Sequence, residues 1–200
     1  MFSTNRILAL NVGAGKIVLA EFAVRGGRTP VLLNYGIGDL GMNPENETAS
    51  SAFLIAALRD VMSSAGIRPA PLLMAISGQM VFPRFIKLPP VAKDKLLQMI
   101  RYEAEQNVPF PITELVWDYQ LIGDAAEGEQ NAMIVAAKNE NVSEIVSAVM
   151  ETGLEPEVID VAPMALCNCV RYNYPDLDGC SMLVDIGARS TNLVFMEDGK

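Results

Sequence analysis

The chain has 200 residues, half of them apolar and none of them histidine, so it is long and apolar enough to bury one large core or two small ones, and every histidine-dependent catalytic or metal site is excluded. Fifteen basic against 24 acidic side chains leave a net charge of -9, which disfavours broad attraction to nucleic acid or to an anionic membrane surface. No run approaches the roughly 18 uninterrupted apolar residues of a membrane span. Asn11, Lys16 and Glu21 also break the N-terminal apolar stretch, which makes it a poor signal peptide and the cytoplasm the expected location.

In chain order, Ile7 to Asn11, Ile17 to Val24 and Val31 to Gly38 read as strands, and the short glycine-bearing links between them predict an antiparallel meander. A helix follows over "ASSAFLIAALRDVMSSAG". Phe53, Ala57, Val61 and Leu54, Leu58, Met62 stack at helical spacing, Ser50 or Ser51 can cap its start, and Gly66 with Pro69 ends it. Leu72 to Ile76 and Val81 to Leu88 are the next strands. The amphipathic helix Lys93 to Asn107 then presents Leu96, Leu97, Ile100 and Ala104 on its apolar side, and Pro109 stops it by pushing Val108 out of the helical region. Strands at Leu115 to Ile122 and Ala132 to Ala137 flank an acidic loop at Asp124 to Glu129, and a helix from about Asn141 ends at Gly153. "LEPEVIDVAPMALCNCVRY" adds a strand and a helix beginning near Ala162, and Met182 to Ile186 and Thr191 to Met196 form a closing hairpin before a turn at Asp198 to Lys200. Cys167, Cys169 and Cys180 match neither a disulfide set nor a zinc-knuckle spacing and are expected to be reduced and buried.

Gly13-Ala-Gly-Lys16 has the glycines and lysine of a phosphate-binding loop, but a Walker loop requires four residues between its glycines and a hydroxyl residue after the lysine, where this chain has Ile17. Its meaning comes from an internal repeat. Setting "ALNVGAGKIVLAEF" over "LVDIGARSTNLVFM" brings Asn11 onto Asp185, Gly13 onto Gly187 and Ala14 onto Ala188. Glycine between two apolar runs is an ordinary hairpin signal, and each copy alone reads as no more than that. Occurring twice, each opening a comparable set of strands, the hairpins predict a duplicated domain that clasps a nucleotide. Their tips expose backbone N–H groups to phosphate, and Asp185 stands where a carboxylate can hold magnesium or a water.

The paired hairpins resemble the phosphate motifs of actin-like ATPases. "VFPRFIKLPP" followed by "LLQMIRYEAEQNVPFPITELVWDYQLIG" is similar to the R-x-I-x-L-P segment and the R-[YW]-E-A-E-Q-x-[IV]-P-F-P block of the type IV pilus assembly PilM family, with further likeness in "VAAKNENVSEIVSAVMETGLEPEVIDVAPMAL" and "LVDIGARSTNLVFMEDGK". The resemblance implies an α/β chain with an actin-like, ribonuclease H-like fold over residues 1–75 and 153–200. A small α/β domain would be inserted at 76–139 and joined back through a helix at 140–152. It further implies a cytoplasmic component of the pilus inner-membrane assembly platform, peripheral at the membrane through its partner. That partner is the N-terminal cytoplasmic tail of a PilN-like membrane protein, alongside other platform proteins. Phosphates would be cradled by Asn11, Gly13, Ala14, Gly15, Lys16, Asp185, Gly187, Arg189, Ser190 and Thr191, with magnesium at Asp185. The peptide would lie in an apolar groove bordered by the helix Lys93 to Asn107, the strand Phe82 to Leu88 and the Pro109-Phe110-Pro111 elbow, touching Phe85, Met99, Tyr102 and Phe110.

This chain departs from the family pattern in ways that bear on ATP. Asn11 replaces an aspartate, Val18 stands where a lysine is expected, and Arg189 replaces a small residue and could either pair with a phosphate or fill the site. Little of the second actin-like half precedes Lys200, so the chain is expected to be a truncated form of a longer protein, with no tight ATP or magnesium binding of its own and an incomplete sheet that pairs with a second copy. The alternative is an ATP-binding or ATP-hydrolysing relative of the cell-division FtsA or type II secretion kind. An FtsA relative would be expected to end in a membrane-binding amphipathic helix, and none is visible here.

Overall fold

A computed structural model of the chain describes residues 5–24, 29–41, 51–89, 93–122 and 130–197. Its elements are β1 (Asn5–Val12), β2 (Lys16–Val24), β3 (Val31–Asp39), α1 (Ser51–Ala65), β4 (Leu72–Ile76), β5 (Val81–Leu88), α2 (Lys93–Asn107), β6 (Leu115–Ile122), β7 (Gln130–Lys138), α3 (Asn139–Met150), β8 (Pro156–Val161), α4 (Ala162–Asn173), β9 (Cys180–Ile186) and β10 (Thr191–Glu197). The Gly26-Gly27 link, the Ser50 cap, the acidic loop and the closing turn at Asp198 lie outside the described residues. Two compact units are present. One comprises Met1–Gly78 and the chain from Glu144 onward, and the other Gln79–Ser143.

In the first unit a five-stranded sheet has the order β3-β2-β1-β4-β8. The meander β1-β2-β3 is antiparallel, while β4 runs parallel to β1 and β8 parallel to β4. Because strand side chains alternate between faces, Leu8, Leu10, Ile17, Leu19, Leu72 and Met74 share one face and are all buried. The stripe Leu54, Ala57, Leu58 and Val61 of α1 is buried with them. Gly36 and Gly38 let the helix in: a Cβ at Gly36 would stand 2.6 Å from Val61 Cγ1, and one at Gly38 would stand 3.0 Å from Val61 Cγ2. At the end of α1, Gly66 takes φ +66°, Ile67 N–H donates to Met62 O at 3.0 Å, and the Asn34 side-chain amide donates to Ala65 O. Left-handed glycine and the six-to-one hydrogen bond form a Schellman stop, as the sequence predicts. Glu21, the one buried charged residue named on this face, is paired with Arg6. Phe53 does not join the core: it lies in line with exposed Ala56 and Asp60 and is itself 56% exposed. Ser51 donates its hydroxyl to Glu144 at 2.7 Å.

α4 packs against β4, β8, β9 and β10. The hairpin β9-β10 buries Met196 on one of its faces and leaves Met182, Val184, Ile186, Leu193 and Phe195 exposed on the other, with Val184 paired to Leu193 and Met182 to Phe195. The cysteines are less buried than expected. Cys167 is half-buried, and Cys169 and Cys180 are exposed because they fall on the outward side of α4 and at the open end of β9.

The second unit is a three-stranded antiparallel sheet of order β5-β7-β6, with α2 on one face. Ile86, Leu88, Ile100, Ala104, Ala132 and Ile134 form its core, with Leu96, Met99, Ile112, Trp117 and Tyr119 packed against them. Leu97, expected in this core, is 56% exposed because it lies in line with the surface pair Arg101 and Glu105, whose N and O atoms are 3.3 Å apart. Arg84 fastens the helix to the sheet, its Nε donating to Asn107 O at 2.9 Å and its Nη1 to Pro83 O at 2.8 Å. A guanidinium at the carboxyl end of a helix satisfies an otherwise orphan carbonyl and complements the helix dipole.

Two stability outcomes follow from these contacts. Gly36→Ala is expected to lower unfolding free energy by about 1–3 kcal/mol through overpacking, and Val61→Ala in the same chain to restore part of it in a urea-denaturation double-mutant cycle. Additive losses would mean that the glycine is not there for the helix. Arg84→Ala is expected to cost about 1 kcal/mol by the same measurement, with Arg84→Lys recovering only a fraction because an ammonium cannot span both carbonyls in the guanidinium geometry.

Candidate functional site

The two glycine hairpins close in the same way. Gly13 N–H donates to Lys16 O at 3.1 Å and Gly187 N–H donates to Ser190 O at 2.9 Å. A Cβ would lie 2.9 Å from Lys16 O in the first and 3.0 Å from Ser190 O in the second, so close backbone approach within the turn is what requires glycine at each position. Asn11 and Asp185 hold equivalent places two residues earlier, and both are exposed. Lys16, Arg189 and Thr191 are exposed as well, while Ala14, Gly15 and Ser190 are half-buried. Arg189 already makes a contact of its own.

Topology sets the two hairpins at one end of the sheet. Asn11 on β1 is the register neighbour of Ala75 on the parallel strand β4. Beyond β4 the chain reaches Gly78, where a Cβ would stand 3.0 Å from Asn192 Oδ1 and 2.9 Å from Pro163 Cγ. Asn192 on β10 in turn donates from Nδ2 to Asp185 Oδ2 at 3.0 Å. The base of the second hairpin therefore lies beside the carboxyl end of β4, the end of a parallel sheet at which ligands bind in open α/β folds. Asn192 was not among the residues singled out from sequence, since its link to Gly78 spans more than a hundred positions and leaves no local pattern.

The donor set suits phosphate and a water-bound magnesium better than a directly caged metal. Among the described residues no three carboxylates or thiols gather at one point, and magnesium commonly takes only one or two protein carboxylates and keeps several waters. Asp185 can serve as one such carboxylate, Lys16 as a point charge for phosphate, and the turn backbones as N–H donors. Asn11 offers an amide dipole where a carboxylate would offer full charge. When bound, ATP and magnesium would bring the reactive phosphate chain and a divalent cation, and these residues would position it. Burial pushes the Cys167 thiol up from its ordinary value, against the opposing pull of Arg171.

The partner-binding candidates are placed differently from one another. Met99 packs against the core of the second unit, and Phe110 stacks at 5.1 Å on Phe82 with Lys138 Nζ 4.3 Å above its ring. Tyr102 is 59% exposed on α2. Phe85, 75% exposed, follows the inward-facing Arg84 and precedes core Ile86, so it projects from the sheet face opposite α2. The groove expected between α2 and β5 is filled by Ile86, Leu88, Ile100 and Ala104, whose mutual burial holds the unit together. On the other side Phe85 is exposed beside its buried register partner Met133, and Val116 is exposed beside buried Ala137.

Comparison with known proteins gives this arrangement its family. The chain matches a solved structure described as a PilM-PilN type IV pilus biogenesis complex with a TM-score of 0.82 and 29% identity, covering 96% of this chain and 58% of that one. It matches the cytoplasmic domain of EpsL, an inner membrane component of the type II secretion system of Vibrio cholerae, at a TM-score of 0.52 and 11% identity, over 78% of this chain and 57% of that one. An exopolyphosphatase from Cytophaga hutchinsonii matches at 0.50 and 14%, over 98% and 48%. The last two likenesses concern the fold alone, which is actin-like. The chain spans about half the length of these structures. The family model for type IV pilus assembly protein PilM matches residues 12–200, and the chain belongs to that family.

Proposed function

We propose that the chain is the actin-like component of a type IV pilus assembly platform and that it binds the N-terminal cytoplasmic tail of a PilN-like membrane protein. The observation that carries this reading is the match, across 96% of the chain, to the structure of a PilM-PilN complex. Among the described residues no helix is long and apolar enough to cross a membrane, so attachment to the inner membrane from the cytoplasm falls to the partner. Cytoplasmic segments next to membrane spans are rich in lysine and arginine, and a chain of net charge -9 suits such a tail electrostatically. The sheet face around Phe85, with Val116 exposed on the same side, can take the tail's hydrophobic side chains. The insert is residues 76–139 in this reading. Contacts with other platform proteins, and pairing of two copies through the incomplete sheet edge, belong to the same proposal.

A synthetic peptide of the PilN-like tail is expected to bind in a fluorescence-anisotropy titration, and Phe85→Ala to weaken it by about tenfold or more, the loss typical of a buried aromatic anchor. Phe110→Ala is expected to lower thermal stability instead, because that ring packs inside the unit. Unchanged affinity in Phe85→Ala would remove this face from consideration.

ATP and magnesium are the cofactors of actin-like ATPases, and the hairpins are proposed as their phosphate end, with the neutral amide of Asn11 weakening the hold on the cation. A fluorescent ATP analogue titrated with magnesium is expected to bind weakly, less well in Asp185→Ala and several-fold better in Asn11→Asp, where a second carboxylate restores charge toward the cation. Indifference to Asp185→Ala would sink the site. The type II secretion reading shares only the fold with this chain, at 11% identity.

A further inference from the structure

We propose that Asn192 is a positioning residue for Asp185, and that it ties the phosphate-end hairpin to Gly78, the residue through which the chain leaves its first unit. The inference rests on the reading of that hairpin as a phosphate and cation site.

Asp185 is exposed, and an exposed carboxylate is ordinarily free to rotate. Here Asn192, its register partner across β9 and β10, donates from Nδ2 to Oδ2 at 3.0 Å and so holds one oxygen in place. The other end of the same amide is held by shape. Asn192 Oδ1 lies 3.0 Å from where a Cβ of Gly78 would stand, and Pro163 Cγ lies 2.9 Å from it. Any side chain at position 78 would displace one or both. Turn geometry does not explain this glycine, because it is absent from the residues with positive φ, which are Gly41, Gly66, Gly153 and Gly179. Close approach does.

A planar amide transmits displacement between its ends because it rotates as one rigid group. When a cation or a phosphate-bound cation draws Asp185, the carboxylate carries Nδ2 with it, and Oδ1 shifts relative to the Gly78 backbone beside it. Gly78 ends the N-terminal segment of the first unit and Gln79 begins the second. Occupancy of the hairpin is thereby registered at the segment that leads into the partner-binding insert. The device needs no contact between the ligand and the insert.

The test is nitrogen-15 NMR of this chain, with magnesium and ATP added together to millimolar concentration while the N–H signals of Gly187 and Gly78 are followed. Both are expected to shift with one midpoint. In Asn192→Ala the Gly187 shift should persist with affinity weakened about two- to fivefold, the lower range for an exposed hydrogen bond, and the Gly78 shift should vanish. Asp185→Asn should abolish both. If Gly187 moves while Gly78 stays silent, or if Gly78 still moves in Asn192→Ala, the coupling is wrong and the phosphate reading stands. If neither signal moves in the unaltered chain, the phosphate reading falls and the coupling with it. The first comparison needs no variant, so a poorly folded substitution leaves the outcome decided.

Discussion

With only hydrogen at Gly36 and Gly38, β3 lets Val61 and Ala57 of α1 press against its backbone, and that close approach sets the path of the chain. The helix seated on the face of the meander returns the chain beside β1, where β4 runs as its parallel neighbour. From this parallel pairing the rest follows. The end of β1 carries the first glycine hairpin, and the end of β4 reaches Gly78, which meets the second hairpin through Asn192. A small departure at the helix contact would move both ends of the candidate site.

Most of the elements could be read from the sequence because they rest on local physics. Period-two burial on β2, glycine links in the meander, the Gly66 stop and the Pro109 stop each act within a few residues. Exposure was harder to read. Phe53 and Leu97 have the apolar character and the spacing of core residues, yet each stands on a helical line whose other members are charged or small and outward. Hydrophobicity reports what a side chain favours, whereas the direction of the helix face is decided by what packs against it. Cys169 on α4 differs from expectation for the same reason.

The candidate site divides along similar lines. Gly13, Gly187 and Asp185 were legible because the chain repeats them, and repetition is visible without a structure. The Gly78, Pro163 and Asn192 cluster was not, since its members come from distant segments and none belongs to a motif. The apolar surface also changed sides. A sequence pattern shows that strand β5 and helix α2 are both amphipathic, and two amphipathic elements adjacent in the chain satisfy each other first, as Ile86 and Ile100 do. The exposed apolar residues of the unit then fall outside that contact, Phe85 on the opposite sheet face and Leu97 and Tyr102 on α2.

Arg84 adds a consequence for how such chains are recognised. It belongs to the R-x-I-x-L-P segment, and Asn107, whose carbonyl it caps, belongs to the E-A-E-Q-N-V-P-F-P block that lies downstream. Two stretches that look like separate signatures are thus the two halves of one fastening between a strand and a helix end. Chains that share both have in common the scaffold of the insert. In the proposed reading the tail is met elsewhere, by the outward residues around Phe85, which take no part in that fastening.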